Sequence, residues 1–488
     1  MSSLKKKGIK AAKWSSVATI VTIVIQLLQL VALSRILSPV DYGLMSMTMV
    51  VVAAAVNLTD VGISNAIIHR QDVSRNHLSS LYILNLATGA FIAGVIYFSA
   101  PLVVWFYQEP ELLNPVRWMA LLCLLPAFGQ QFEVLFRKEL KFDNIAKIQI
   151  VSYFVGFVLA VGGALAGMGV YALVLSNLGN ALVKSALLVM QGWKKWTPAL
   201  HFAKKDLKGY LSFGVYQMSS NVIQSIMSNI DYILIGRIYG TQTLGYYSFA
   251  FQLCTMPVLK LTPLINTVSL PIYAKMQDNI ERLRSGYIKT IALVSYLNAP
   301  IYLGLLVTAP MLVPFIFGEK WEPSVMLIQV LAIAMLLRSL IVPIQPLLQA
   351  KGRTDMYFRY TLMGMCVQVP GLAIGTYAGG IMGTCIAYVV IQLILMVIQY
   401  HYAMRRMIGP CLGDYVRSMA PGLAYGLIMV GGVVLLNVLS VAVFSQQANF
   451  IIQVALGALI YGAVLFLFNK ELFQNLKNRL ISKTKLAK

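Results

Sequence analysis

The chain has 488 residues, of which 58% are hydrophobic and only 11% charged, too little charge for a soluble protein of that length. Its formal net charge of +22 is spread over many short segments with no single patch and no recognition motif, which argues against nucleic acid as a partner. Five cysteines, an odd number without paired ligand spacing, provide neither a disulfide framework nor a metal site.

In chain order, continuously apolar runs of about 20 residues predict membrane-crossing helices at 15–36, 43–66, 78–100, 116–135, 145–166 and 169–191. A second set covers 211–235, 245–271, 287–309, 323–348, 356–377 and 381–403, and two more runs cover 416–440 and 449–468. The first run is too long for a signal-peptide core and is followed by further spans, so it reads as the first transmembrane helix. The AGMG link at Ala166 divides 145–191 into two helices, which keeps the basic loops on one face. Lipid offers the backbone no hydrogen-bond partners, and these runs lack the period-two alternation of a barrel strand. The expected fold is therefore an all-α integral membrane protein of about 14 helices.

Charge is sorted along these elements. Lys5, Lys6, Lys7, Lys10 and Lys13 precede the first span, and basic clusters then recur in every second loop. They lie at Arg70/Arg75, Arg137–Lys147, Lys194–Lys208, Lys275–Lys289, Lys351–Arg359 and Arg405–Arg417, and finally in the tail from Lys470. The alternate loops hold only Arg35, Arg117, Arg237 and Lys320. This is the positive-inside pattern, and it predicts a multi-pass membrane protein with both termini cytoplasmic.

An internal repeat accompanies the pattern. SRILSPVDYGL from Ser34 matches GRIYGTQTLGY from Gly236, with Arg and Gly eight apart in each. APLVVWFYQEPELLNP from Ala100 matches APMLVPFIFGEKWEP from Ala309, and AGMG at Ala166 resembles AGGIMG at Ala378. The repeat predicts a six-helix lobe at 1–205, a second at 206–408, and two added helices with a basic tail at 409–488. Two lobes in one orientation place a cleft on a pseudo-twofold axis, the plan of rocking-bundle transporters.

Ionisable residues inside spans cost roughly 2.5–3.5 kcal/mol each near the bilayer centre, so each should face protein or water. Lys260, between Pro257 and Pro263, is the clearest; Arg338 and Lys184 lie toward the cytoplasmic half, and Arg35 and Arg237 close two spans on the outer side. Asp60, Asp231 and Glu133 are the acids available as charge partners or gating groups. These residues form either a cationic cleft for an anionic substrate or a set of inter-helix ion pairs. Trp14, Trp105, Trp118, Trp193, Trp196 and Trp321 fall near span ends, as in an aromatic belt. No nucleotide-binding loop, nucleophile elbow or carboxylate pair is present, and the expectation is a transporter without cofactor or metal rather than an enzyme.

Several strings carry a family resemblance: AKWSS around Trp14, the Arg35…Tyr42-Gly43 turn, DVGISNAIIHR from Asp60, GQQF from Gly129 and KELKF from Lys138. KLTP from Lys260, FGEKW from Phe317, LLRS from Leu336 and QAKGR from Gln349 continue it nearly end to end. In this order they resemble the polysaccharide-exporting flippases of Wzx type, close to the colanic-acid exporters, within the multidrug/oligosaccharidyl-lipid/polysaccharide superfamily. The resemblance implies translocation of an undecaprenyl-diphosphate-linked oligosaccharide from the cytoplasmic to the periplasmic leaflet, with membrane lipids, a polysaccharide polymerase and a chain-length regulator as partners. Lys260 and Arg338 could neutralise the diphosphate, and Gln26, Gln29, Asn57, Asn65, Gln217, Asn221, Gln224 and Asn229 could serve the sugars. A drug/cation antiporter is the sibling alternative, but the first span has no acidic residue. A flippase for the peptidoglycan lipid precursor fits the strings less well, and a membrane polymerase or ligase would need a larger, charged outer loop.

Overall fold

The computed structural model describes residues 2–59, 74–199, 201–203, 224–225, 227–440 and 446–469. Among them, twelve helices are long and apolar enough to cross a membrane. The main helices of these spans are α1 (Ser2–Ile36), α2 (Pro39–Thr59), α3 (Arg75–Tyr107), α4 (Leu121–Lys138), α5 (Phe142–Leu165) and α6 (Val170–Gly192). After these come α7 (Ile230–Met276), α8 (Ile280–Leu312), α9 (Val325–Ile341), α10 (Thr354–Ile398), α11 (Leu412–Ser440) and α12 (Gln446–Phe468).

Two of these helices are unusually long for a reason visible in their backbones. α7 is interrupted at Gly240 (φ 76°, ψ −174°), and α10 at Gly379 and Gly380. Each interruption falls in a gap where the sequence predicts one span to end and the next to begin. The AGMG link behaves as expected: α5 stops at Leu165, α6 starts at Val170, and Gly167 and Gly169 take positive φ between them.

The side chains of α3 show which environment the helices were selected for. Phe91, Val95, Phe98, Leu102 and Trp105 recur at three- and four-residue spacing, with Phe98 81% and Trp105 76% exposed. Its buried face mixes small or polar residues, Ser79, Ser80, Asn85, Gly89 and Ala100, with larger ones such as Leu81, Tyr82, Ile92 and Ile96. An exposed stripe of large apolar side chains suits lipid, and at Gly89 the small residue lets α3 approach the Cys123 carbonyl of α4 closely.

The chain divides into two compact units, Met1–Ser248 and Phe249–Lys488. In the first, α5 packs on α1 and α6, α6 packs on α4, and α4 packs on α3. In the second, α8 packs on α9, α11 and α12, while α9 packs on α10 and α11 on α12. The internal repeat reappears as matching turns. α3 ends at Gln108 in the left-handed region and leads into a 3-10 turn, Pro110–Leu112. α8 runs into Gly318, also at positive φ, and then the 3-10 turn Glu319–Ser324.

The tryptophans divide into two groups. Trp105, Trp118 and Trp193 are exposed, as a belt requires, but Trp321 is completely buried and stacks on Phe249 at 4.2 Å between centroids. Trp196 is also buried, edge-on to Tyr82 and tilted against Phe132. A span-end tryptophan that meets a neighbouring element becomes core rather than belt.

Candidate functional site

Lys260 lies in α7 about 20 residues, or roughly 30 Å of helix, past the Gly240 break, which places it toward the basic face. Pro257 and Pro263 flank it and cannot donate to the carbonyls of Leu253 and Leu259. The carbonyl of Cys254, on the same helix, also accepts from the Tyr302 hydroxyl of α8 at 3.0 Å. Tyr302 is itself buried, so this bond fastens α8 to the Lys260 helix, while Arg338 lies on the adjoining α9. Both cations are half-buried, and neither forms an ion pair among the described residues. Tyr302 carries no charge and did not stand out in the sequence; a buried tyrosine one span away leaves no local signal.

The other embedded charges are compensated. Lys184 Nζ lies 2.8 Å from Glu133 Oε2, and Arg137 Nη2 lies 2.6 Å from Glu133 Oε1, so one carboxylate holds α6 to the end of α4. Asp231 is fully buried and accepts a 2.6 Å hydrogen bond from the Tyr247 hydroxyl. Arg237 lies over the Phe106 ring at 5.7 Å, and Arg35 is exposed at the last turn of α1. Asp60 lies outside the described residues. Geometry therefore brings Lys184 to Glu133, leaves Lys260 on α7 and Arg338 on α9 without a shared contact among the described residues, and places Arg35 in the last turn of α1 and Asp231 and Arg237 before the Gly240 break of α7.

Polar residues expected to serve sugars have mixed fates. Gln29 donates to Ser176 at 3.1 Å and Asn229 to the Ser225 carbonyl at 2.7 Å, so both also hold structure. Gln26 is half-buried and Gln224 exposed. Asn65, Gln217, Asn221 and the side chain of Asn57 lie outside the described residues.

Between the α1–α2 turn and the Gly240 break the repeat produces a reciprocal crossing. Ser38 and Asp41 cap α2: the Ser38 amide donates to Asp41 Oδ2 at 2.8 Å, and the Asp41 amide to Ser38 Oγ at 3.2 Å. Beside this cap, a Cβ placed on Gly43 would overlap the carbonyl oxygen of Thr241, and a Cβ on Gly245 would overlap that of Pro39. Pro39 and Thr241 occupy equivalent positions in the two repeats, as do Gly43 and Gly245. The contact is thus twofold-related, with each glycine receiving the other repeat's helix start.

On the basic face, Glu139 receives Lys141 at 2.7 Å and also Lys195, and these ammonium groups hold its carboxyl below the usual range. The pair Glu139–Lys195 fastens the α4–α5 turn to the segment after α6.

Comparison with known proteins matches residues 32–326 to the family described as "Polysaccharide biosynthesis protein". The chain is 32% identical over 417 residues to the lipopolysaccharide biosynthesis protein WzxC of Escherichia coli K12, covering 86% of this chain and 85% of that one. It is 32% identical over 493 residues to the teichuronic acid biosynthesis protein TuaB of Bacillus subtilis, covering 100% of both. Among solved structures, the lipid II flippase MurJ in an inward closed conformation superposes with a TM-score of 0.76 at 12% identity, covering 95% of this chain and 100% of that chain.

Proposed function

Because the chain belongs to the polysaccharide biosynthesis protein family, we propose that it is a flippase that moves an undecaprenyl-diphosphate-linked oligosaccharide from the cytoplasmic to the outer leaflet by alternating access. The observation that carries this reading is the asymmetry among its embedded charges. Lys184 has Glu133, whereas Lys260 and Arg338 are half-buried in one unit with no carboxylate partner among the described residues. A desolvated cation without a protein counter-ion is costly to keep unless an anion visits it. A diphosphate is such an anion, and a drug cation is not.

The proposed cycle needs no cofactor and no bond chemistry. Lys260, toward the basic face, meets the diphosphate on the cytoplasmic side, and the carbonyls freed by its flanking prolines help orient the ammonium. Outward movement of each negative charge is favoured by about 2.3 kcal/mol per 100 mV of inside-negative potential. The reciprocal glycine crossing at the outer helix ends keeps that side closed while substrate is loaded. The protein lies in the bacterial inner membrane with both termini cytoplasmic, and it works beside a polymerase and a chain-length regulator.

The test is complementation of a strain lacking the gene with Lys260→Ala, measuring surface polymer alongside the amount of protein in the membrane. Export should fall at least tenfold at unchanged protein level, and Lys260→Arg should restore part of it. Full export by Lys260→Ala would overturn the role of this cation.

A further inference from the structure

A second site lies on the basic face of the first unit. A cavity of about 420 Å³ opens between the first turn of α3 and the segment that follows α6, lined by Arg75 and Leu78 on one side and by Trp193, Lys194, Lys195, Trp196 and Thr197 on the other. None of these residues figures in the transport reading above.

The cavity is built rather than incidental. Arg75 donates from Nε and Nη2 to the Thr197 carbonyl, and from Nη2 to the Thr197 hydroxyl at 2.6 Å. Ser79 Oγ accepts from the Ala199 amide at 3.0 Å, and Ser80 Oγ accepts from the Ala203 amide at 3.2 Å. These bonds tie Thr197, Ala199 and Ala203 along the start of α3. Trp196 anchors it from beneath, packed between Tyr82 and Phe132. Lys195 is fixed by Glu139, with Phe136 under its ammonium at 5.1 Å.

Its chemistry is one-sided. Arg75, Lys194 and Lys195 line it with no acidic residue among the lining, and the one carboxylate paired with this wall, Glu139 on Lys195, is shared with Lys141. Lys194 is exposed and forms no ion pair among the described residues. Trp196 is 9% exposed, and its indole Nε1 is buried without a hydrogen-bond partner. A buried donor left unpaired within a cationic wall is suited to an acceptor-rich anion.

The surroundings identify which anion. The last turns of α6 expose Met190 (69%) and Trp193 (51%), so the cavity mouth continues directly into a lipid-facing apolar surface. A soluble phosphate has no use for that surface, whereas a phospholipid would lay its chains along it. The volume also suits a single phosphate headgroup better than an oligosaccharide.

We propose that this cavity binds the phosphate headgroup of an anionic phospholipid from the leaflet on the basic face, with Lys194, Lys195 and Arg75 around the phosphate and Trp193 at the lipid boundary. The bound lipid fastens the segment after α6 to the start of α3, and so makes the packing of α3, α4 and α6 dependent on lipid composition.

The test uses the full chain, delipidated in detergent and examined by native mass spectrometry with phosphatidylglycerol, phosphatidylcholine, inorganic phosphate and undecaprenyl phosphate in separate titrations. One phosphatidylglycerol should be retained about tenfold more tightly than phosphatidylcholine. Lys194→Ala should lower that preference several-fold and Lys194→Glu should abolish it, both variants remaining monodisperse because Lys194 is exposed. Thr197→Val, which removes a hydroxyl partner of Arg75, should weaken retention independently. Equal binding of the two phospholipids, or unchanged preference in both Lys194 variants, would overturn the proposal. So would displacement of the lipid by millimolar phosphate, or selective retention of undecaprenyl phosphate over phosphatidylglycerol, since either would assign the cavity to a different ligand.

Discussion

Glu133 shows how one acid can decide the meaning of two cations. Lys184 was a reasonable substrate ligand in the sequence, because a lysine inside a span needs a reason to be there. Its partner is 51 residues earlier, on another helix, and nothing local in either segment announces the pairing. Glu133 also holds Arg137 one turn away, so removing the acid strands two positive charges while removing Lys184 strands none. Glu133→Gln should therefore lower thermal stability in detergent, by about 1–3 kcal/mol, and Lys184→Ala by clearly less. Fluorescence-detected size-exclusion after heating reads this directly. If Lys184→Ala instead leaves stability intact and halts export, the lysine belongs to the transport path. Lys260 was legible for the opposite reason: prolines three residues to either side mark it within its own helix. Tyr302 and the cavity at Trp196 were not, because a tyrosine in a span and a tryptophan at its end serve core, belt and site equally well.

Among elements, glycines carried the readable information. The breaks at Gly240 and Gly380 and the AGMG turn all coincide with boundaries drawn from the apolar runs, because a glycine with positive φ interrupts a span whatever surrounds it. The Arg…Gly spacing shared by Ser34–Leu44 and Gly236–Tyr246 was also visible, as a repeat. Its consequence was not: only the three-dimensional arrangement shows that each glycine meets the backbone carbonyl at the start of the other repeat's helix. Backbone atoms cannot rotate away as a side chain can, so a methyl group must separate the helices. Gly43→Ala and Gly245→Ala should each reduce stability, by about 1–3 kcal/mol, and by similar amounts because the contact is reciprocal. Gly162→Ala, in α5 with open space around its Cβ position, should be neutral. Unequal effects at Gly43 and Gly245 would show that the two sides of the crossing are not equivalent. If the crossing also closes the outer side during loading, both substitutions will impair export beyond what the loss of folded protein explains.

At the scale of the whole molecule, class and orientation rest on different physics. The helical membrane class follows from continuous apolar runs, and it is visible in the exposed apolar stripe of α3 and in similarity to the MurJ fold over 95% of the chain. Orientation rests on the sorting of Lys and Arg, which resist translocation, and no helix packing can report it. It needs a chemical measurement on cells. With the exposed Cys366 replaced by Ser, the other four cysteines are buried, so a single introduced cysteine dominates labelling. Phe202→Cys, exposed in the segment after α6, should resist a membrane-impermeant maleimide in intact cells and react once the membrane is opened. Glu111→Cys, exposed in the turn after α3, should react in intact cells. The reverse pattern would turn the protein over in the membrane, placing Lys260 near the outer leaflet, where a cation could not collect a substrate made on the cytoplasmic side.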